Sequence, residues 1–360
     1  MIGWDSLESV CRGQHTGAII PSCPARNPSD MNRHRSKPRL QASASAGSNI
    51  ALVKYWGKRD PVLNLPTTGS LSITLDALVT ETTVIAASRA GADRLIINEQ
   101  DADPDRVSPF IDLFRAIAET EQRFVVASSN SFPTAAGLAS SASAFAALAV
   151  AMDAALGLEL PAERLSELAR RGSGSAARSI YGGFVEMQRG QRDDGRDATA
   201  NALASVDHWP LRVVVAVTST QAKSVSSTKG MNHTVATSAY YPAWVAQVEQ
   251  DLERARTAIA ARDFTGLAEV SEASALAMHA SAMAARPGVI YFAPATLACI
   301  QAVRGLRDKG CAVFFTVDAG PQLKAVCLPE DEAIVADTLA RVPGVQRLIR
   351  TGLGEGARRI

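Results

Sequence analysis

An α+β fold is predicted by two features of this sequence. Strand-like and helix-like segments alternate from residue 43 onward, and the chain closes on strand, strand, helix and strand patterns packed into its last fifty or so positions. A 47% hydrophobic content over 360 residues is ample for sizeable cores, and that length predicts about two domains. The segments divide at Trp209-Pro210, which places the domains at residues 43–208 and 209–360.

Each element has its own local reason. Residues 79–87, with a TETTV core, are rich in β-branched side chains and predict a strand. Val107, Phe110, Ile111, Phe114 and Ile117 recur at helical spacing within 105–119. Residues 123–129 read as a strand. The apolar run 142–160 reads as a buried helix and not as a membrane span, because it carries Ser143, Asp153 and Glu159. A helix at 162–170 and a strand at 183–188 follow. The strongly apolar strand 211–217 opens the second domain, and two long helices cover 242–261 and 264–283. A helix at 294–307, strands at 312–317 and 323–328, a helix at 330–340 and a strand at 346–351 complete the pattern. That order is a split βαβ, ferredoxin-like layout, provided that 211–217 supplies the opening strand. No solenoid-type repeat is visible.

Residues 1–42 differ in composition. They are rich in Pro, Ser, Arg and Asn, without hydrophobic period or signal-type apolar region, and are expected to be a disordered extension. Met31 lies within it as an alternative start, and Arg33, Arg35, Lys37 and Arg39 form a short basic run, read as a solvated tail or a binding arm. The formal charge of +1 gives no reason to expect nucleic acid or an acidic membrane as partner. Five cysteines without CxxC or His/Cys clustering read as reduced, cytoplasmic thiols, not as disulfides or a zinc site. His208, His233 and His279 show no metal-ligand spacing and are taken as structural.

The segment 132–145, FPTAAGLASSASAF, carries the strongest chemical signal. Its small residues let backbone N–H groups approach a ligand, and the helix that follows presents its positive end. Ser140 and Ser141 are suited to phosphate oxygens or Mg²⁺. No lysine follows the glycine, so a Walker A loop is excluded. Taken alone, the segment also fits a tightly packed helix start. Four further clusters have chemical content. SNIALVKYWGK (48–58) offers Asn49 together with Lys54 and Lys58 as point charges, at the end of a first strand. RRGSGSAARS (170–179) combines a Gly/Ser turn with the Arg178 fork, which can grip a carboxylate. KSVSSTKGM (223–231) reads as a hydroxyl- and lysine-bearing loop. FFTVDAGPQ (314–322) delivers Asp318 from an apolar strand into a Gly-Pro turn. Each also has a bland reading, as a surface strand, a linker, a loop or a turn.

Together with LNLPTTGSLSITL (63–75), these motifs stand in an order and spacing that resembles the diphosphomevalonate decarboxylases of the GHMP superfamily, over roughly residues 46–355. The resemblance implies an N-terminal domain like ribosomal protein S5 domain 2, a C-terminal ferredoxin-like domain and an active site in the cleft between them. It implies ATP-dependent decarboxylation of mevalonate 5-diphosphate to isopentenyl diphosphate, with Mg²⁺ accompanying ATP, and a cytoplasmic homodimer. Asp318 matches the family's catalytic aspartate, which accepts or orients the 3-hydroxyl proton. Arg178 matches the arginine that binds the substrate carboxylate, and Asn49 an asparagine that positions this arginine or the substrate. Tyr55, Trp56, Gly57 and Lys58 match the YWGK substrate segment, with Lys58 also a catalytic candidate as diphosphate partner. Arg106 falls where the family has a diphosphate-binding arginine. Ser173, Gly174, Ser175, Ala176, Ala177 and Thr228 complete the implied substrate contacts. The nucleotide loop corresponds to Pro133, Thr134, Ala135, Ala136, Gly137, Leu138, Ala139, Ser140 and Ser141, with Ser141 orienting the γ-phosphate.

The departures are modest. Ala177 stands where many relatives have Cys. Gln322 replaces the usual Asn after DAGP, with an expected effect on a contact near Asp318. Alternatives on the same scaffold are a mevalonate 5-phosphate decarboxylase, a mevalonate-type kinase and a non-catalytic binding protein. Retention of Asp318, Arg178, Lys58 and Ser141 ranks the diphosphate decarboxylase first.

Overall fold

The computed structural model describes residues 41–87, 91–132, 140–221 and 223–360. The first part of the chain forms β1 (Gln41–Val53), β2 (Lys58–Asp60), β3 (Leu65–Pro66), β4 (Ser70–Ala86), β5 (Arg94–Ile97) and β6 (Gln100–Ala102). A 3₁₀ turn at Pro104–Arg106 leads to α1 (Ser108–Ala118), β7 (Phe124–Asn130), α2 (Ser140–Leu156), α3 (Ala162–Gly172), α4 (Ala176–Ser179), β8 (Phe184–Met187) and β9 (Ala200–Ala204). The second part comprises β10 (Arg212–Val217), α5 (Ser227–Thr237), α6 (Tyr241–Ala261), α7 (Phe264–Met283) and α8 (Pro294–Arg307). It ends with β11 (Val313–Val317), β12 (Leu323–Cys327), α9 (Glu332–Ala340), β13 (Arg347–Gly352) and β14 (Arg358–Arg359).

A large sheet runs in the order β14-β1-β4-β7-β5-β6. The long β4 keeps β1 along one edge and shares the other, Ser70–Ile73 pairing with β8 and Thr80–Ala86 with β7. Alanine-rich α2 lies on β1 and β4 and is buried on almost every side. Alanine is both the best helix former and small enough for such close packing.

The second sheet is antiparallel in the order β11-β12-β10-β13. This is the ferredoxin-like arrangement, with β10 as opening strand and four helices, α5 to α8, in its first crossover. Both faces are covered, so β10 reads as an unbroken apolar run after its exposed first residue, Arg212. Val214, Ala216, Val313, Phe315, Leu323 and Ala325 face a core shared with α8 and α9. Val213, Val215, Phe314 and Val326 face a larger core containing Trp244, Val248 and Leu267 of α6 and α7 and Ile50, Leu52 and Val53 of β1. Each such buried Val, Leu, Ile or Phe side chain contributes about 1.5–3 kcal/mol. Between α6 and α7, Arg262 adopts a left-handed φ of 54° and Asp263 Oδ1 then caps α7 by accepting from Gly266 N at 3.1 Å.

Several expectations need correction. Strand 79–87 is the second half of a strand that begins at Ser70. Residues 223–231 are not one loop, because α5 starts at Ser227 with Ser226 as its N-cap. Gln41 and Ala42, assigned to the extension, belong to β1, while residues 1–40 lie outside the described residues. The helix expected over 105–119 is a 3₁₀ turn followed by α1, and β5, β6, β9 and β14 were not anticipated.

One glycine sets the register that matters for the cleft. Between Gly47↔Val79 and Asn49↔Thr74 the β1–β4 pairing shifts, and a Cβ on Gly47 would lie 2.4 Å from Leu75 O. A Gly47→Ala variant is therefore expected to lose about 1–3 kcal/mol through overpacking, measured by urea unfolding.

Candidate active site

The ends of β1 and β11 and the starts of α2, α4 and α5 meet around a cleft of about 670 Å³. Its walls carry Lys54, Lys58, Arg106, Arg178 and Lys223, against a single carboxylate among its lining residues, Asp318. Such a wall attracts polyanions.

Asp318 follows directly on β11, so a buried strand fixes its backbone, and its side chain keeps 22% of its surface exposed. Lys54 Nζ donates to its Oδ1 at 2.6 Å, and Lys324 Nζ lies 3.0 Å from Oδ2. Burial disfavours the charge on Asp318, but Lys324 and Lys54 together more than offset it and hold the carboxyl well below the usual range. Lys54 is itself pulled down to about 8, because burial of its ammonium outweighs the attraction of Asp318. Its Nζ also donates to Ala51 O at 2.8 Å, and its backbone N–H donates to Ser274 Oγ of α7 at 3.0 Å.

Arg178, on the short α4, is 2% exposed. Its Nε donates to Ser72 Oγ at 2.9 Å, Nη1 to Ser70 Oγ at 2.6 Å and Nη2 to Asn49 Oδ1 at 3.0 Å. Asn49 is fixed in turn by donating to Ser179 Oγ at 2.8 Å and Ser175 O at 3.0 Å. All three acceptors of the guanidinium are neutral, so its charge remains available to an anion. Burial lowers its pKa to about 10, which still leaves it cationic at neutral pH.

The YWGK segment forms another wall. Gly57 takes φ 104°, and a Cβ there would lie 1.8 Å from the Tyr241 hydroxyl, so only glycine allows this turn. Tyr55 OH is buried against Gly174 and has no partner among the described residues. Lys58 Nζ donates to Asn64 Oδ1 at 2.6 Å, and burial lowers its pKa. Trp56 packs edge-on against Tyr291 at 6.0 Å. Ser141 Oγ lies 3.2 Å from Ser173 Oγ, which ties the start of α2 to the turn before α4.

Of the residues singled out in the sequence, Asn49, Tyr55, Trp56, Lys58, Arg106, Ser140, Ser141, Ser173, Gly174, Ser175, Arg178, Thr228 and Asp318 line this cleft. Gly57, Ala176 and Ala177 do not; the two alanines are fully buried in the cores behind it. Pro133, Thr134, Ala135, Ala136, Gly137, Leu138 and Ala139 lie outside the described residues. The Gln322 amide accepts from Thr218 N at 2.6 Å and donates to Ser219 O at 2.5 Å, pinning the chain after β10.

A second pocket of about 320 Å³ shares Arg106, Ser140 and Ser141 with the cleft. Leu95, Ile97, Val107, Val126, Phe145 and Leu148 make it apolar, and Thr82, Ser128 and Asn130 give it polar edges. This chemistry fits a nucleotide base whose phosphates extend into the cleft. No cluster of three His, Cys, Asp or Glu occurs among the described residues. The donor set thus fits Mg²⁺ carried mainly by phosphates and water, with hydroxyls such as those of Ser140 and Ser141 available to it.

Residues 46–200 match the family model for the diphosphomevalonate decarboxylase-like N-terminal domain, and residues 213–351 match that for the mevalonate 5-diphosphate decarboxylase C-terminal domain. The chain is 38% identical over 335 residues to the Homo sapiens diphosphomevalonate decarboxylase, covering 85% of this chain and 80% of that protein. The chain belongs to the diphosphomevalonate decarboxylase family. Among solved structures, it is similar to mevalonate diphosphate decarboxylase from Staphylococcus aureus, with a TM-score of 0.84 and 36% identity over 89% of this chain and 98% of that one. MDDEF in complex with MVAPP, AMPPCP and magnesium gives a TM-score of 0.83 and 39% identity over 89% of this chain and 99% of that one.

Three lysines of this family member escaped assignment from sequence. Lys54 was legible as a point charge but not as the partner of Asp318, which lies far along the chain. Lys223 donates to Ser227 Oγ at 2.7 Å and Ala319 O at 2.8 Å. Lys324 had the plainest signal, a lone charge inside the apolar strand LKAVC. Beneath them, His279 Nε2 lies 3.2 Å from Val317 O, and burial, reinforced by Lys54, lowers its pKa to about 3. A depressed histidine stabilises the fold above its unfolded pKa of about 6.5, and that stability is lost as pH falls toward the folded value. Urea unfolding should therefore show His279→Gln gaining stability relative to the parent as pH drops from 7 to 4.

Proposed function

We propose that the protein performs the ATP-dependent decarboxylation of mevalonate 5-diphosphate to isopentenyl diphosphate, with ADP, phosphate and CO₂ as the other products. The observation that carries this reading is the meeting of Asp318 and Arg178 in one cleft whose other charged walls are cationic. The substrate is a tertiary β-hydroxy acid, and hydroxide leaves poorly. Transfer of the γ-phosphoryl group to that oxygen, with the hydroxyl proton leaving late by way of Asp318, converts it into a good leaving group. The C–O bond then breaks with its electrons on phosphate. The C–CO₂⁻ bonding pair forms the alkene, and CO₂ departs. Magnesium supplies charge neutralisation of the phosphates when bound.

In this reading Asp318 receives the hydrogen bond of the 3-hydroxyl and orients it toward the phosphoryl group. Its weak basicity suits a loose transfer, in which positioning and electrostatics matter more than early proton removal. Lys54 sets the direction of that carboxylate. Arg178 has five N–H donors and uses three on Ser70, Ser72 and Asn49, leaving one on each terminal nitrogen for the substrate carboxylate. Lys58, Arg106, Tyr55 and the Ser173–Gly174–Ser175 turn hold the diphosphate, with Thr228 at the edge. Ser141 orients the γ-phosphate, and the apolar pocket receives the base.

Residues 43–208 and 209–360 are taken as the two domains flanking the cleft, a division that the gap between the two matched segments supports. A homodimer is proposed on family resemblance, to be tested by light scattering. The free thiols of Cys299, Cys311 and Cys327 favour a reducing, cytoplasmic setting, and no helix among the described residues is long and apolar enough to cross a membrane.

Incubation with Mg·ATP and either mevalonate 5-diphosphate or 5-phosphate, following ADP and CO₂ together, tests the reading. The diphosphate should yield both products in equal amounts; ADP alone would indicate a kinase. Asp318→Asn should bind ATP almost normally and lose about 10²–10⁴-fold in turnover. Arg178→Lys should also fail, since an ammonium cannot reproduce the planar fork; an unchanged rate would remove it from the carboxylate site.

A further inference from the structure

Lys324 stands out as the charge that the cleft does not use directly. It is 1% exposed and sits in β12, where Leu323, Ala325, Val326 and Cys327 are all fully buried. A lone ammonium in such a strand is tolerated only when paired. Its register partner on β11 is Thr316, so both side chains share one sheet face. On that face Thr316 Oγ1 donates to Ala51 O of β1 at 3.1 Å, the same carbonyl that receives Lys54 Nζ. Lys324 does not line the cleft, whereas Lys54, Lys223 and Asp318 do.

The two carboxylate oxygens are correspondingly unlike. Oδ2, beside Lys324, is inaccessible to solvent, while the Asp318 side chain as a whole retains 22% of its surface. The substrate alcohol therefore has Oδ1 to meet, next to Lys54. We propose that Lys324 is a positioning residue for the reaction: from behind the cleft wall it holds Oδ2, aims Oδ1 at the substrate hydroxyl and keeps the carboxylate anionic. This rests on the decarboxylase reading above.

Other groups act on Asp318 from every side. Lys54 follows β1, Arg178 approaches from α4 and Lys223 from the segment before α5, and His279 lies below on α7. Of these, Lys54 and Lys324 make the direct contacts. With Lys324 gone, burial of Asp318 is opposed at contact range by Lys54 alone, and protonation becomes easier.

The test is Lys324→Met, with Lys324→Gln as the companion should the first be insoluble. Turnover should fall by about 10²-fold, the scale of a misplaced reacting group, with the KM for ATP unchanged. The Asp318 carboxyl should titrate about 1–3 pH units higher, the effect of removing an opposite charge at this range. In an Asp318→Asn background the same change should cause no further loss, because the two side chains act as one unit. An unchanged Asp318 titration, or an equal loss in both backgrounds, overturns the proposal. A readout without turnover separates it from the decarboxylase reading. The carboxyl ¹³C resonance missing in Asp318→Asn should stay that of an anion in the parent protein at every pH where it is folded. In Lys324→Met the resonance should titrate at higher pH; the same titration in both proteins also overturns the proposal. Absence of CO₂ from the parent enzyme would instead remove the decarboxylase reading itself.

Discussion

A carboxylate gripped between two ammonium groups organises the rest of this molecule. Lys54, Asp318 and Lys324 come from three different strands or strand ends, and none could be buried alone without a penalty of several kcal/mol. Joining them fastens β1 of the large sheet to β11 and β12 of the small one. Neutral bonds reinforce the seam, from Thr316 to Ala51 and from the Lys54 backbone to Ser274. The cleft walls inherit their spacing from this junction.

The same junction explains the chemistry available there. A carboxylate so strongly held as an anion is a poor proton sponge but a good directional acceptor. Phosphoryl transfer through a loose transition state asks for the latter. Around it the surplus of cations suits the nucleotide, diphosphate and carboxylate of the proposed reaction. Arg178 illustrates how the protein keeps a charge usable while burying it: hydroxyls and an amide fix the guanidinium in place without neutralising it.

Much of this was legible in sequence, for identifiable reasons. The strands around 211–217, 312–317 and 323–328 are dominated by apolar residues, because helices or the other sheet cover both faces. Their boundaries follow from composition alone. Helix α2 was equally plain, since its alanines are buried all round. The first part of β4 was hidden because SLSITL carries Ser70 and Ser72, polar residues committed to Arg178 and not to solvent. Helix α5 was hidden because Ser, Thr and Lys at its start look like a loop until Ser226 is seen to cap it. Asp318 and Arg178 announced themselves through local motifs. The partners of Asp318 did not, because Lys54 and Lys324 gain meaning only when strands remote in sequence come together.

The neutral anchoring of Arg178 also bears on how a catalytic cycle would end. In the proposed reaction carbon dioxide is uncharged, so its formation would strip the buried guanidinium of its counterion while the serines and asparagine stay in place. The emptied chamber is then left electrostatically hungry at that corner. A product lacking the acid group has no hold there, and a fresh β-hydroxy acid has every advantage in displacing it.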